Sequence, residues 1–230
     1  MKKSILIGMM SLLLVVLSFA GGFFNNPAAS VDTLPVQELT SSEIDGLLQM
    51  REEEKLARDV YLILYDTWGI QTFFNIAQAE QTHMNAVKTI LDKYDLEDPI
   101  KYYTVGVFTN EELQKLYYDL VAEGQKSIID ALKVGATIED LDIYDLDKLL
   151  ETTDNEDIKL VYENLKQGSE NHMRAFVGML ERYNVSYSAQ YISSDYLNEI
   201  LNNSNSMLDV TGNGYTDNGY RGNGYKGGKR

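Results

Sequence analysis

The feature that most constrains this 230-residue chain is the order of its helical stretches: two long ones, a connection of about thirty residues, then two more. Thr40-Ser41-Ser42-Glu43 opens the first as a capping box, with Thr40 as N-cap, Glu43 three residues in, and Leu39 and Ile44 as the hydrophobic staple. No proline interrupts the run from there to Trp68, and Gly69 supplies the stop. A second helix is expected from about Thr72 to Tyr94, ended by the Asp95-Leu-Glu-Asp-Pro99 turn. The connection runs from Asp95 to Lys126. Aromatic and β-branched residues (Tyr102, Tyr103, Val105, Val107, Phe108) precede a second capping box, Thr109 with Glu112, and a short helix ended by Gly124. A third long helix follows Ser127 and reaches about Glu151. Thr153 and Glu156 read as a third capping box, opening a fourth helix to about Tyr183.

Two helical pairs joined by a single long crossover have the connectivity of ferritin-type bundles, which simple up-down bundles lack. The expected fold is therefore all-α: a ferritin-like four-helix bundle with one long crossover containing a short extra helix, over residues 39–203. An extended segment and a small helix around Tyr196 to Leu201 close that domain. Before it, Lys2 and Lys3, an apolar run from Ile5 to Phe19 and small residues around Ala20 read as a secretory signal over residues 1–20. Ala28 and Ala29 are the later candidates for the cut, and residues 21–38 form a linker. The apolar run is shorter than the roughly 20 residues a spanning helix needs, so a cleaved, exported protein is expected rather than an anchored one. After residue 203, Thr-Gly-Asn-Gly-Tyr, Thr-Asp-Asn-Gly-Tyr and Arg-Gly-Asn-Gly-Tyr repeat from Thr211 to Tyr225. Such a segment cannot bury a core, so residues 204–230 are expected to be a disordered tail.

Charge and cysteine count exclude several functions. A formal net charge of -15 argues against nucleic acid or an anionic membrane surface as partner, since both repel an acidic body. With no cysteine, the chain has no disulfide, no thiolate metal site, no cysteine nucleophile and no iron–sulfur centre of its own.

The chemistry points to the helix interiors. The chain has two histidines, His83 and His172. The second helix places Phe73, Ile76, Ala77, Glu80, His83, Met84, Val87 and Leu91 on one face at the 3.6-residue period, so a glutamate and a histidine interrupt an apolar stripe. The fourth helix repeats the pattern with Val161, Leu165, Ser169, His172, Phe176 and Met179. The first gives Leu47, Glu54, Ala57, Tyr61 and Leu64, and the third Leu132, Gly135, Glu139, Asp142 and Leu146. A carboxylate in a bundle core costs several kcal/mol unless it is paired or bound to a cation. Glu54, Glu80, Glu139, Asp142, His83 and His172 together match the donors of a dinuclear carboxylate site in a four-helix bundle. Each also has an ordinary reading: a hydrogen-bonded core histidine, a solvated run at Glu52-Glu53-Glu54, or an exposed acidic face holding Glu139 and Asp142 among Asp140, Asp145 and Asp147.

Specific motifs carry a resemblance. Glu54-Lys-Leu-Ala-Arg-Asp-Val-Tyr61 resembles the first ligand helix of rubrerythrin-type proteins, Glu80-Gln-Thr-His83 their second-helix Glu-x-x-His, and Ile138-Glu-Asp-Leu-Asp142 their third-helix carboxylates. Across roughly Leu39 to Ile200 the chain resembles the uncharacterised domain of unknown function 2202 family. That resemblance rests on Glu52-Glu-Glu-Lys-Leu-Ala-Arg58, Glu80-Gln-Thr-His-Met84, Ile138-Glu-Asp-Leu-Asp-Ile143 and Asn171-His-Met-Arg-Ala-Phe176. One departure stands out. Rubrerythrin-type proteins carry Glu-x-x-His on the fourth helix, whereas this chain has Ser169-Glu-Asn-His172, so a bridging carboxylate is missing unless Asp142 or Glu170 replaces it.

The resemblance implies a di-iron oxidoreductase that reacts with dioxygen or peroxide and draws on an external reductant. Iron is the expected metal, as two ions or, given Ser169, one, with manganese or zinc also suited to the donors. Tyr61 is either a hydrogen bonder and electron relay beside the ligands or a packed core residue. The alternatives are a non-catalytic protein that sequesters metal outside the cytoplasm and a structural bundle without metal. The assembly state is left open, a homodimer being unsurprising for this fold.

Overall fold

The computed structural model describes residue 31 and residues 33–203; the expected signal sequence and glycine–tyrosine tail lie outside them. Six full helices run through the described residues: α1 (Ser41–Trp68), α2 (Gln71–Lys93), α3 (Glu111–Gly124), α4 (Ile128–Thr152), α5 (Glu156–Arg182) and α6 (Ser194–Asn202). The architecture is all-helical, as expected. None of these helices is long and apolar enough to cross a membrane.

The α1 cap forms as its sequence implies. Thr40 Oγ1 accepts from the Glu43 backbone N–H at 3.2 Å, and Glu43 Oε2 accepts from the Thr40 N–H at 2.9 Å. At the far end Gly69 takes the left-handed conformation (φ 66°), and its N–H closes on the Tyr65 carbonyl at 2.7 Å. Only Gly69 and Ile70 separate α1 from α2, so the two helices pack as an antiparallel hairpin. Thr153 to Asn155 link α4 to α5 in the same way. The two hairpins close into a bundle through α1 against α4 and α2 against α5.

Two expected capping boxes are not formed. Asn110, not Thr109, caps α3, its side chain accepting from the Glu112 and Leu113 N–H groups at 2.9 and 3.3 Å. Thr153 does not open α5, because its N–H still closes α4 on the Leu149 carbonyl. The α5 N-terminus is capped from elsewhere: Glu43 Oε1 accepts from the Asp154 and Asn155 N–H groups, and Gln37 Oε1 from Glu156. One glutamate therefore ties the starts of α1 and α5 together.

The crossover is stitched to α1 by buried polar side chains. Arg51 reaches both oxygens of Asp98 and the Met84 carbonyl. Lys55, 1% exposed, donates to Asp59 and to the Thr104 and Val107 carbonyls, with its ammonium 4.0 Å from the centre of the Phe108 ring. Asp59 also accepts from the Gly106 N–H at 2.9 Å. Gly106 is held at φ 75°, and a Cβ there would meet the Tyr117 ring at 2.6 Å, so the turn requires glycine.

Apolar residues form two clusters along the bundle. One gathers Val60, Tyr61, Leu64, Phe73, Leu132 and Phe176; the other Leu47, Met50, Val87, Leu91, Leu146 and Leu165. On α1, α2 and α5 the candidate site residues fall between the segments that feed these two clusters, and on α4 Glu139 and Asp142 lie within the stretch Ala131–Ile143 of the first.

Candidate metal centre

Between the two clusters the bundle buries a group of carboxylates and imidazoles. Glu54 from α1, Glu80 from α2 and Glu139 from α4 are each 2% exposed, and His172 from α5 is 8% exposed. The His83 side chain, three residues after Glu80 on α2, is nearly as enclosed. Glu139 and Glu54 thus lie inside the bundle rather than on solvated faces. Asp140 is also fully buried, serving a different purpose: it accepts from the Tyr187 hydroxyl and the Gln190 and Ile192 N–H groups, holding the segment after α5.

Glu80 is the centre of the arrangement. Its Oε2 lies 2.8 Å from His83 Nδ1, and its Oε1 lies 2.9 Å from His172 Nδ1. Glu54 Oε2 stands 3.2 Å from His83 Nδ1, and Glu139 Oε2 stands 3.4 Å from His172 Nδ1. Two triads result, Glu54–Glu80–His83 and Glu80–Glu139–His172, with donor atoms within 4.8 Å of one another in each. The two imidazoles stack with centroids 5.6 Å apart. Five of the six sequence-predicted residues are brought together in this way.

The sixth, Asp142, lies beside the triads but in neither. Its Oδ2 accepts a hydrogen bond from Ser169 Oγ, so the serine that departs from the expected pattern is engaged with a carboxylate. Glu170 does not replace the missing bridge either. It accepts from the Tyr196 hydroxyl of α6 at 3.0 Å. The one carboxylate shared by both triads is Glu80 of α2, already expected from its own Glu-x-x-His motif, and the fourth helix adds none.

Electrostatics set the state of the cluster. Burial works against ionising Glu80, but His172 and His83 outweigh it and hold this carboxyl far below its usual range. Burial likewise opposes charge on the imidazoles, yet Glu54 and Glu80 raise His83 well above its ordinary value, and Glu80 and Glu139 raise His172 to about 9. Burial lifts Glu54 well above the usual carboxylate range, with Asp142 and Glu80 adding to it against His83. Burial and Glu139 do the same to Asp142. The cluster thus pairs one strongly acidic carboxyl, Glu80, with two imidazoles that favour their charged form, while Glu54 and Asp142 are pushed toward their neutral form.

Several buried atoms have no hydrogen-bond partner among the described residues: Glu54 Oε1, Glu80 Oε1 and His172 Nδ1 are three of them. Glu80 Oε1 and His172 Nδ1 face each other at 2.9 Å without hydrogen-bonding alignment. A carboxylate oxygen and an imidazole nitrogen facing each other in this way are donors that suit a cation of the iron, manganese or zinc type. Two neighbours support the triads. The Tyr61 hydroxyl, fully buried, donates to Glu139 Oε1 at 2.5 Å. At Gly168 on α5 an added Cβ would stand 2.5 Å from the His83 ring, so a glycine lets the imidazole lie against that helix. Sequence reasoning missed Gly168; its only signal was a glycine inside an otherwise helical pattern. It also missed the buried Arg51–Lys55–Asp59 set, because charged residues at those spacings read as a solvated face.

Residues 43–204 match the family described as an uncharacterized protein domain, DUF2202. Over 174 residues the chain is 58% identical to uncharacterized protein MJ0754 of Methanocaldococcus jannaschii, covering 76% of this chain and 94% of that protein. It is also similar to the crystal structure of hypothetical protein MJ0754 from Methanococcus jannaschii, at 59% identity and a TM-score of 0.72, over 74% of this chain and 97% of that one.

Proposed function

The chain belongs to the uncharacterized DUF2202 family, and we propose that it is a ferritin-like metal-binding protein acting as a di-iron oxidoreductase on dioxygen or peroxide. One observation carries the reading: Glu80 offers one oxygen to each of two carboxylate–imidazole triads. Glu54, Glu80 and His83 would hold one ion, and Glu80, Glu139 and His172 the other. When bound, such a pair supplies Lewis acidity and, for iron or manganese, one-electron redox chemistry. The remaining work falls to the chain. Tyr61 fixes the orientation of Glu139 through its short hydrogen bond. Ser169 holds Asp142 beside the triads as a further carboxylate. Apolar side chains at both ends of the site keep bulk water away. The amino-terminal signal pattern supports a site of action outside the cytoplasm, where the reductant would be external.

The test is turnover. Protein loaded anaerobically with ferrous iron is mixed with hydrogen peroxide or air, and peroxide loss and iron oxidation are followed with and without added reductant. Repeated turnover that disappears in the Glu80→Ala/His83→Ala variant is the expected result. Bound iron without turnover would point to metal sequestration, and failure to bind any metal would leave a structural bundle.

A further inference from the structure

A cavity of about 60 Å³ lies against the carboxylates. Glu53, Glu54, Glu80, Glu139 and Asp142 form its polar wall, and Leu56, Leu116, Leu120, Ile138 and Leu141 much of the remainder. It is too small for an organic substrate, since pockets for such ligands run to about 300–1,000 Å³. Its aliphatic side disfavours the passage of a bare ion, whose charge would lose its hydration there. Molecules of a few heavy atoms and no charge fit both its size and its walls.

A second hollow opens on the surface. This groove, about 510 Å³, lies between α4, α5 and the segment leading into α6. Its walls include the Lys166–Asp147 ion pair and the rings of Tyr144 and Tyr196. Among the described residues one residue lines both hollows: Tyr191. Tyr191 is 45% exposed, and its ring packs near that of Tyr144, with centroids 6.5 Å apart.

Tyr191 is also anchored. The Gln190 N–H reaches Asp140 Oδ2 at 2.6 Å, the Ile192 N–H reaches Oδ1 at 2.9 Å, and the Gln190 side chain donates to Thr137 Oγ1 at 2.8 Å. Asp140 directly follows Glu139, so the residue before it faces the triads while it holds the strap carrying Tyr191. The backbone around Tyr191 is thus tied to α4, so any opening between the two hollows falls to its side chain.

We propose that Tyr191 is the gate between the surface groove and the carboxylate cavity, admitting small neutral molecules to the site and excluding larger ones. The inference rests on the proposed metal site only for the destination of what enters; the passage is a property of the chain. Because the chain has no cysteine, a single introduced thiol reports access without background. Ala57, 7% exposed, lines the cavity and is the reporter position, as Ala57→Cys in the full metal-free chain. Ala77, fully buried in the apolar core on α2, is the control, as Ala77→Cys.

Labelling is timed with methyl methanethiosulfonate, small and neutral, and with a bulky anionic aromatic disulfide, each with Tyr191 intact and with Tyr191→Ala. Tyr191→Ala is expected to speed the small reagent at position 57 by about tenfold and to let the bulky reagent in, while position 77 stays unchanged. Tyr191→Phe, which keeps the ring, is expected to behave as Tyr191 does. Equal rates at position 57 with and without the ring would overturn the gate. Equal acceleration at 57 and 77 would overturn it too, since the bundle would merely have loosened. Metal content of Tyr191→Ala, measured separately, is expected to equal that of the unaltered chain, so a failed gate and a failed metal site give different results.

Discussion

Each residue of the centre depends on a neighbour that fixes where it points. Removing the Tyr61 hydroxyl with Tyr61→Phe leaves Glu139 Oε1 without its donor. The expected outcome is a loss of about tenfold in affinity at the His172 triad, read by chelator competition, with the His83 triad unaffected. Gly168→Ala pushes a methyl group to 2.5 Å from the His83 ring. That variant is expected to lose about 1–3 kcal/mol of stability in urea and to weaken the His83 triad instead. Glu54, Glu80, His83, Glu139 and His172 were legible in sequence because each interrupts an apolar stripe at helical spacing. Their pairing into triads was not. Which oxygen of Glu80 meets which imidazole depends on how α2 faces α5, and no periodicity within one helix encodes that. Ser169 shows the same limit from the other side. As a departure from a motif it suggested a lost ligand, and in three dimensions it engages Asp142, a contact no spacing within α5 encodes.

At the scale of elements, helix ends decide how the hairpins meet. Glu43 completes the α1 capping box and also accepts from the N–H groups of Asp154 and Asn155, just ahead of α5. Glu43→Ala is expected to cost about 1–3 kcal/mol in chemical denaturation, more than an ordinary cap, because two helix starts lose an acceptor. Burial alone would raise the Glu43 carboxyl, but the Thr40, Asn155 and Asp154 hydrogen bonds outweigh it and hold it below its usual 4.5. A lowered folded value means its contribution is complete above about pH 4.5 and fades as pH falls through the lower folded value. The stability difference between the unaltered chain and Glu43→Gln is therefore expected to shrink as pH falls below about 4.5. The first capping box was legible because Thr40 and Glu43 sit three apart just ahead of an uninterrupted helix. The third was misread for a physical reason: a link of three residues left Thr153 closing α4, and the cap for α5 came from Glu43, 111 residues away from Asp154. Long-range capping leaves no local pattern to read.

For the whole molecule, the bundle buries charges that only a cation or captured protons can balance. Binding to the folded state alone adds about 2.7 kcal/mol when free metal exceeds its dissociation constant a hundredfold. Thermal unfolding of the reconstituted chain is thus expected several degrees higher than that of the metal-free chain, with chelator reversing the shift and Glu80→Ala/His83→Ala showing none. The strap held by Asp140 and the crossover held by Asp59 are both tied to the bundle through buried polar bonds. The central claim is that Glu80 joins two metal positions, and the most direct test counts metal. After reconstitution with iron, elemental analysis should find two ions per chain in the unaltered protein, about one in Glu54→Gln or Glu139→Gln, and close to none in Glu80→Gln. Glu80→Gln retaining as much iron as the unaltered chain, or an unaltered chain that takes up no metal, would contradict it.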